Sequence, residues 1–395
     1  MFARPSGPDQ SMPFRRPGVA LLTLLWLAPG CSEFEPPLPA HDAAVGPMPT
    51  ADTGLLPPHD AGTDAGTDGA TGGDIDAATH DAGLDARVGL PDAASVDAGG
   101  SDAAAVDAAV VIPTRPNLPK CGFLAPVVSG TVTTAGLNEI SGIAVSRKNA
   151  RVLWLVEDSG NGGQLHAIND LGALIATYSI GGSALDMEDL AVGPGPMADV
   201  SYLYIGDIGD NNGMRASITV YRAPEPDVIW NQAPITAALP MLEPLPMKYP
   251  SGDLNAEALF VDPVTQDIYI ITKDGFTRPN TLYRMAAPQQ PATPRILEPL
   301  AAVYGGTGID VSVTAADMSA DGKRIIVRSL HAATHYTRAD GVSVADTMLT
   351  GVACDAELAV ENKGESISFS ATGYYTVSEG TSVPLNFVAL NQSAN

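Results

Sequence analysis

The chain has 395 residues and a formal net charge of −24, from 21 Lys and Arg against 45 Asp and Glu. Half of this charge lies in residues 41–111, which contain thirteen Asp and one Arg, or 1 − 13 = −12. So acidic a chain lacks the basic face that nucleic-acid binding requires, and we expect no nucleic-acid partner. Beyond the N-terminus no apolar run approaches the roughly 20 residues of a membrane-spanning helix.

The N-terminus has the pattern of an export signal. Arg15 and Arg16 precede a short apolar stretch, residues 17–27, which has the size of a signal peptide. Small residues then lead to Cys31, and this arrangement resembles a bacterial lipoprotein signal, in which cleavage before the Cys leaves it to carry the lipid. The resemblance implies a signal peptide over residues 1–30 and an outer-membrane lipoprotein, periplasmic or surface-exposed. The alternative is an ordinary secretory signal with a chance Cys.

Residues 31–119 are rich in Asp, Ala, Gly and Pro, with Asp-Ala-Gly recurring at irregular intervals. Such a composition cannot bury enough apolar surface to offset the entropy lost on ordering, so we predict a disordered tether. A calcium-binding repeat is the alternative, but the irregular spacing of the Asp residues argues against it. The tether would hold the following domain clear of a lipid surface.

Residues 120–395 have an all-β pattern, with short apolar runs separated by Gly, Asp, Asn and Pro. Five segments begin with an acidic residue and an alternating apolar strand, and each is followed by further strands. Four-stranded repeats of this length predict the blades of a β-propeller. We expect five blades, or six if a divergent one lies in residues 225–255, and we expect residues 127–134 to close the last blade. A β-sandwich is the rival fold.

In a propeller the first strand of each blade lines the central channel, so acidic residues at the start of these strands should converge at one mouth. The ends of the second strands add further carboxylates. Oxygen ligands of this kind select Ca²⁺ or Mg²⁺, and Ca²⁺ is the cofactor we expect. The candidate metal ligands are Glu139, Asp158, Glu188, Asp207, Asp210, Glu257, Asp317 and Glu365.

Two other arrangements would also stabilise an acidic channel. Lys273 and Arg328 lie at equivalent second-strand positions and could neutralise the carboxylates without a metal. Water in the channel could also solvate each carboxylate separately. These alternatives stay open at the level of sequence.

The three cysteines are consistent with export. If Cys31 is lipidated, Cys121 and Cys354 remain, and an oxidising compartment permits them to pair. A bond between them would join the two ends of the ring, whereas two separate thiols are the alternative.

Common catalytic motifs are missing from the sequence. It has no Gly-x-Ser-x-Gly nucleophile elbow and no His-Glu-x-x-His zinc motif, and no Gly-rich phosphate loop precedes a helix. His331 and His335 are four residues apart, but in a segment that has the pattern of a strand or loop. Whether the protein is an enzyme is therefore undecided from sequence.

Several short motifs with an acidic residue recur along the repeats: LNEISGIA (137–144), EDSGN (157–161), MEDLA (187–191), GDIGDNN (206–212), ADMSADG (316–322), GESISF (364–369) and YTVSEG (375–380). Together they resemble a family of secreted bacterial β-propeller proteins, grouped loosely with phytase-like and esterase-like propellers. The resemblance covers about residues 120–390. In phytase-like members calcium ions in an acidic mouth hold substrate phosphate, but the motifs that carry that activity are not matched here.

The sequence therefore favours a monomeric, lipid-anchored envelope propeller that binds a ligand or an envelope protein and holds a divalent cation in its acidic channel. The alternative is a calcium-dependent hydrolase, a phosphoesterase that uses the channel carboxylates, with Glu188, Asp207 and Asp210 as metal ligands.

Overall fold

The computed structural model describes residues 117–391, except residues 159, 161, 182–185, 275–277 and 304–310. The predicted signal peptide (residues 1–30), Cys31 and nearly all of the predicted tether (residues 31–119) lie outside the described residues. Within them the regular secondary structure is almost all β-strand, with one short helix, α1 (Val344–Thr350). No helix in this part of the chain has the length and apolar character needed to cross a membrane.

The strands follow one another mostly in antiparallel hairpins. The first eight are β1 (Val127–Val132), β2 (Ile140–Val145), β3 (Val152–Glu157), β4 (Gln164–Asn169), β5 (Leu174–Ser179), β6 (Met187–Pro194), β7 (Ser201–Asp207) and β8 (Ile218–Pro224). Next come β9 (Ile235–Ala238), β10 (Glu243–Lys248), β11 (Ala256–Val261), β12 (Ile268–Thr272), β13 (Asn280–Met285), β14 (Arg295–Ile296) and β15 (Glu298–Val303). The last are β16 (Ala315–Met318), β17 (Arg324–Arg328), β18 (Ala333–Thr337), β19 (Val352–Ala356), β20 (Gly364–Phe369), β21 (Gly373–Ser378) and β22 (Val383–Ala389).

These strands form five sheets, which we call blades 1 to 5. Their strand orders are β2-β3-β4-β5-β9, β6-β7-β8-β10-β14, β11-β12-β13-β15, β16-β17-β18-β19 and β20-β21-β22-β1. Each blade has four antiparallel strands, and blades 1 and 2 add a short parallel strand at the outer edge. The innermost strands, β2, β6, β11, β16 and β20, contact one another in a closed ring. The fold is the predicted β-propeller, with five blades.

A sixth blade does not form from residues 225–255. This segment supplies β9, which pairs in parallel with β5 of blade 1, and β10, which pairs with β8 of blade 2. The segment therefore extends the outer edges of two existing blades and contributes no strand to the central ring.

The ring is closed by two features that the sequence predicted. Strand β1 pairs antiparallel with β22, so the start of the domain completes blade 5. A disulfide joins Cys121, just before β1, to Cys354 in β19 of blade 4, with the two Cα atoms 5.1 Å apart. Blade 4 is thus covalently tied to the segment that closes blade 5.

The apolar core lies between the blades, and this explains the hydrophobic pattern. Strands β3 and β12 are buried at every residue because neighbouring blades cover both of their faces, so their sequences are continuous apolar runs. One core cluster joins Trp154 of blade 1 to Ile205 of blade 2, and another joins Leu155 to Leu385 of blade 5. The interblade packing leaves the propeller axis to polar side chains.

Candidate functional site

The acidic residues of blades 2, 3 and 5 occupy one structurally equivalent position. The pairing of the two innermost strands shifts register between Met187 and Asp189, and again at the same place in blades 3 and 5. The residues at these shifts are Glu188, Glu257 and Glu365. A β-bulge leaves the extra residue unpaired and redirects its side chain. The charges of the three carboxyl groups interact, Glu257 with each of the others, so the bulges gather them at one mouth of the channel.

Blades 1 and 4 do not follow this pattern. In blade 1 the bulge residue is Ser141, whose hydroxyl donates to the carbonyl of Met187, and Glu139 precedes the strand. In blade 4 the strands pair without a bulge, and Asp317 faces Ile326 in the interior of the hairpin. The expected five-fold equivalence of the acidic residues is therefore wrong for Glu139 and Asp317. The charge of Glu139 still acts on Lys363 at the mouth.

Asp317 and its counterpart Asp189 have a structural role deeper in the channel. Asp189 accepts hydrogen bonds from the backbone N–H groups of Leu190, Leu259 and Ala316, which ties blade 2 to blades 3 and 4. Asp317 accepts from the N–H groups of Met318 and Phe369 and from the Ser368 hydroxyl.

The innermost strands have an unpaired edge that faces the axis, and its buried N–H groups need acceptors. These two carboxylates supply them. Asp317 is therefore engaged away from the mouth, where a metal ligand was expected.

The mouth contains a compact group of three carboxylates: Asp158 after β3, Asp186 before β6 and Glu188 in the bulge of β6. One oxygen from each lies within 4.8 Å of the others. Glu188 is 3% exposed, and its Oε1 has no hydrogen-bond partner among the described residues. Oδ1 of Asp186 is also buried and without such a partner there. We call Asp158, Asp186 and Glu188 the carboxylate triad.

Sequence reasoning identified two members of the carboxylate triad and missed Asp186. It lies outside the strand, so an alignment of the strand starts could not show it. The available signal was its spacing from Glu188, since side chains two residues apart lie on the same side of an extended chain.

Gly209 forms one wall of the carboxylate triad. A Cβ atom placed on Gly209 would overlap Oε1 of Glu188 and the carboxyl group of Asp186. The Gly209 N–H also donates to the backbone carbonyl of Asp186, at 3.1 Å. The absence of a side chain at this position therefore makes the space in which the carboxylate oxygens face one another.

Three cations partly neutralise the mouth. Lys273 pairs with Glu257, which agrees with the alternative in which Lys273 neutralises channel carboxylates without a metal. Arg215 pairs with Asp207 at 2.8 Å, and Lys363 pairs with Glu379 at 2.7 Å.

The other predicted neutralising residue, Arg328, does not reach the mouth. It is fully buried, where it contacts Glu361 at 3.0 Å and donates to the carbonyl of Ser366. Neither Asp186 nor Glu188 forms an ion pair with a Lys or Arg among the described residues.

Asp210, another predicted ligand, is used by its own loop. Its two carboxylate oxygens accept hydrogen bonds from the N–H groups of Met214 and Arg215. Asp207 likewise accepts from the N–H of Asp186 as well as pairing with Arg215. These residues shape the wall of the mouth around the carboxylate triad.

Burial and mutual repulsion shift the carboxyl groups of the mouth toward their neutral form. Burial, together with Asp158, raises the pKa of Asp186 to about 7. Burial is also the main cause that raises the pKa of Glu188 well above its ordinary value, with Glu257 the next contributor. The pKa of Glu365 rises to about 8 because of burial and the neighbouring Glu379. A bound cation would relieve the repulsion behind these shifts.

The histidines do not form a second metal centre in the described residues. His335 lies 3.7 Å from Sγ of Cys354, but that sulfur and the sulfur of Cys121 form the disulfide. His166 lies beside Glu157 inside blade 1 at 3.7 Å, and burial lowers its pKa to about 4.

No protein-family model matches the chain. No curated protein matches it in sequence. Among solved structures, the chain is similar to the crystal structure of the soluble aldose sugar dehydrogenase from Escherichia coli in its apo form, at 11% identity and a TM-score of 0.35. That match covers 67% of this chain and 99% of the other. So low a similarity has no bearing on function, which we argue from the residues at the mouth.

Proposed function

We propose that the protein is a lipid-anchored β-propeller of the bacterial envelope that binds a ligand or a partner protein, with a divalent cation in its acidic mouth. The observation that carries the proposal is the carboxylate triad, in which a buried oxygen of Glu188 and one of Asp186 have no hydrogen-bond partner among the described residues. Buried polar atoms in folded proteins are nearly always satisfied, so an orphaned pair facing a third carboxylate favours a bound cation.

The chemistry of the donors favours calcium. All three ligand groups are carboxylates, and Ca²⁺ accepts six to eight oxygens in irregular geometry, whereas Mg²⁺ demands a near-ideal octahedron. Backbone carbonyls and water can complete the coordination of Ca²⁺. Burial is the main cause that raises the pKa values of Asp186 and Glu188, and a divalent ion would offset the repulsion from neighbouring carboxylates that adds to it.

A cleft of about 540 Å³ beside the mouth offers a place for the ligand. It is lined by polar residues, among them Asn211, Asn255 and Lys273. Lys273 also pairs with Glu257 at the mouth, so the cleft and the acidic mouth share a wall. A ligand in this cleft would meet hydrogen-bonding groups at the side of the cation site.

Metal analysis of the purified protein tests the cation. We expect the wild type to retain about one calcium ion per chain and to gain thermal stability when calcium is added, by about 2.7 kcal/mol at a concentration 100 times the Kd. Glu188→Gln should lose both properties, because it removes a charged ligand and keeps the shape of the side chain.

Glu298→Gln is the matched control, since Glu298 pairs with Arg284 on the surface of blade 3. It should behave as the wild type. Equal metal content and equal calcium response in wild type and Glu188→Gln would contradict the cation proposal.

The envelope location rests on the N-terminal pattern and has its own test. Incorporation of labelled fatty acid in cells should require Cys31 and disappear in Cys31→Ser. Labelling that persists in this variant would exclude lipidation at Cys31.

A calcium-dependent phosphoesterase is the second candidate, because a metal site beside an open cleft is also what a hydrolase needs. Of the ligands expected for that activity, Asp207 pairs with Arg215, and Asp210 accepts hydrogen bonds from its own loop. The carboxylate triad would therefore bind the metal. Calcium-dependent hydrolysis of p-nitrophenyl phosphate, lost in Glu188→Gln, would establish the enzyme. Calcium binding without turnover would favour the binding module.

A further inference from the structure

The channel end opposite the acidic mouth is crossed by an arginine. Arg147 lies in the hairpin after β2 of blade 1, and its Nη2 donates to the carbonyl of Met318 in blade 4 at 3.2 Å. Blades 1 and 4 are not neighbours, because the ring contacts place blade 5 between them. The guanidinium therefore spans this end of the channel, and most of its N–H donors have no partner among the described residues.

A second guanidinium lies close to this end. Arg324, the first residue of β17, stacks over the Phe369 ring, with its Cζ atom 5.3 Å from the ring centroid. Its side chain makes no hydrogen bond or ion pair with the described residues. Stacking holds the planar group in place and leaves its N–H edge open, which is a geometry suited to an anionic oxygen pair.

Both arginines line one cleft of about 480 Å³. Its other walls include the hydroxyl-bearing Ser146 and Ser370, the apolar Val145 and the ring of Phe369. A neighbouring cleft of about 380 Å³ shares Arg324 and adds Lys323. This cationic region is notable in a protein of net charge −24.

Three acidic groups lie around this cleft, and each accepts hydrogen bonds from groups other than the two arginines. Asp321 accepts from the Ser319 hydroxyl and from the N–H of Lys323, within its own turn. The carboxylate of Asp317, which faces Arg147, accepts from Ser368 and Phe369.

Glu225 also faces Arg147, and its Oε1 accepts from Trp154 Nε1 and from the Ser146 hydroxyl. Its Oε2 is buried without a hydrogen-bond partner among the described residues. None of the three forms a direct ion pair with either arginine among the described residues. Their charges still attract the guanidinium groups, those of Asp317 and Glu225 acting on Arg147 and that of Asp321 on Arg324. The guanidinium N–H groups nevertheless stay open to a ligand.

We propose that this cleft, which we call the arginine cleft, binds a small ligand that carries a carboxylate or phosphate next to an apolar group. The two guanidinium groups would hold the anionic oxygens, and Phe369 with Val145 would cover the apolar part. The site is separate from the acidic mouth, so the proposal does not depend on the cation.

Saturation-transfer NMR with the purified protein tests the proposal, with benzoate as the carboxylate probe and benzamide as its neutral isostere. We expect benzoate to bind and benzamide to bind at least about tenfold more weakly, because only the anion can pair with the arginines. Phenyl phosphate and inorganic phosphate, added as competitors, distinguish a phosphate from a carboxylate site and show whether the ring is needed.

Arg324→Gln should weaken benzoate binding at least about tenfold, which is the loss of roughly one charge-assisted interaction. The Arg324 side chain makes no hydrogen bond with the described residues, and the backbone hydrogen bonds of β17 do not depend on it, so the variant should fold. Arg295→Gln removes the same charge from the edge of blade 2 and should bind as the wild type.

Binding should also persist in Glu188→Gln and in the presence of EDTA, which separates this site from the cation site. Three results would overturn the proposal. The first is equal binding of benzamide and benzoate, and the second is no binding of benzoate or of phenyl phosphate. The third is an equal loss of benzoate binding in Arg295→Gln and Arg324→Gln.

Discussion

Two adjacent acidic residues, Glu188 and Asp189, show that a shift of one position along the strand changes what a carboxylate does. Asp189 is fully buried, and its carboxylate accepts three backbone N–H groups. Glu188, one position earlier, has a buried oxygen without a partner among the described residues. The β-bulge directs the first side chain to the mouth and the second to the inner edge of the strands. One carboxylate therefore holds the blades together, and the other is free to bind a cation.

At this scale Gly209 provides the sharpest test of the site's shape. Gly209→Ala would place a methyl group against Glu188 and Asp186, where the cation is expected. We expect calcium to stabilise this variant much less than the wild type, measured as the rise in melting temperature on adding calcium. The melting temperature in EDTA serves as the internal reference. A full calcium response in Gly209→Ala would place the cation elsewhere.

Among the elements, the β-bulge separates what the sequence predicts correctly from what it does not. The five blades were predictable because each repeats the same local pattern of apolar strands and polar turns along the sequence. The equivalence of the five acidic residues was not, because an acidic residue on the bulge and one beside it point to different places, and the repeat pattern does not show which position is the bulge. Asp317 is the counterpart of Asp189 and not of Glu188, and it bonds to blade 5.

Local sequence patterns also predict only part of the carboxylate triad. Asp158 and Glu188 flank strands and were found from the pattern of the repeats. Asp186 and the wall at Gly209 depend on how blades 1 and 2 approach one another, which no local pattern specifies.

Strand β1 and the disulfide form the closing element, and removing the disulfide tests its contribution. The bond joins residues separated by 233 positions, so it restricts the unfolded chain strongly. We expect Cys121→Ala with Cys354→Ala to lower the free energy of unfolding by about 5 kcal/mol at most, in urea denaturation. The strand pairing of β1 with β22 should hold the fold together in the variant. Unchanged stability would mean that pairing alone closes the ring.

For the whole molecule, the acidic mouth makes stability depend on pH. The pKa values of Asp186 and Glu365 are raised to about 7 and about 8 in the folded protein, from ordinary values of 3.8 and 4.5. The folded state therefore binds more protons than the unfolded state, and this stability is lost as the pH rises through the folded pKa values. In EDTA the melting temperature should fall between about pH 5 and about pH 9.

Calcium should reverse this trend, because the ion takes the place of the protons at the carboxylate triad. Melting curves at several pH values, with EDTA and with calcium, measure both effects. A melting temperature in EDTA that is constant or rises between about pH 5 and about pH 9 would show that the pKa values of these carboxyl groups are not raised in the folded protein.

The two ends of the propeller have opposite character, and we propose a separate binding site at each. The acidic mouth contains the carboxylate triad, and the arginine cleft lies at the other end of the channel. Between them, Asp189 and Asp317 are bonded to the innermost strands. The ring that closes the fold thus also separates the proposed cation site from the proposed anion site.

The most direct measurement is anomalous diffraction from a crystal of the protein soaked in a calcium salt. We predict a single strong peak at the acidic mouth, about 2.3–2.6 Å from one oxygen each of Asp158, Asp186 and Glu188. A map with no peak at the carboxylate triad, from crystals in which these side chains are ordered, would contradict the account.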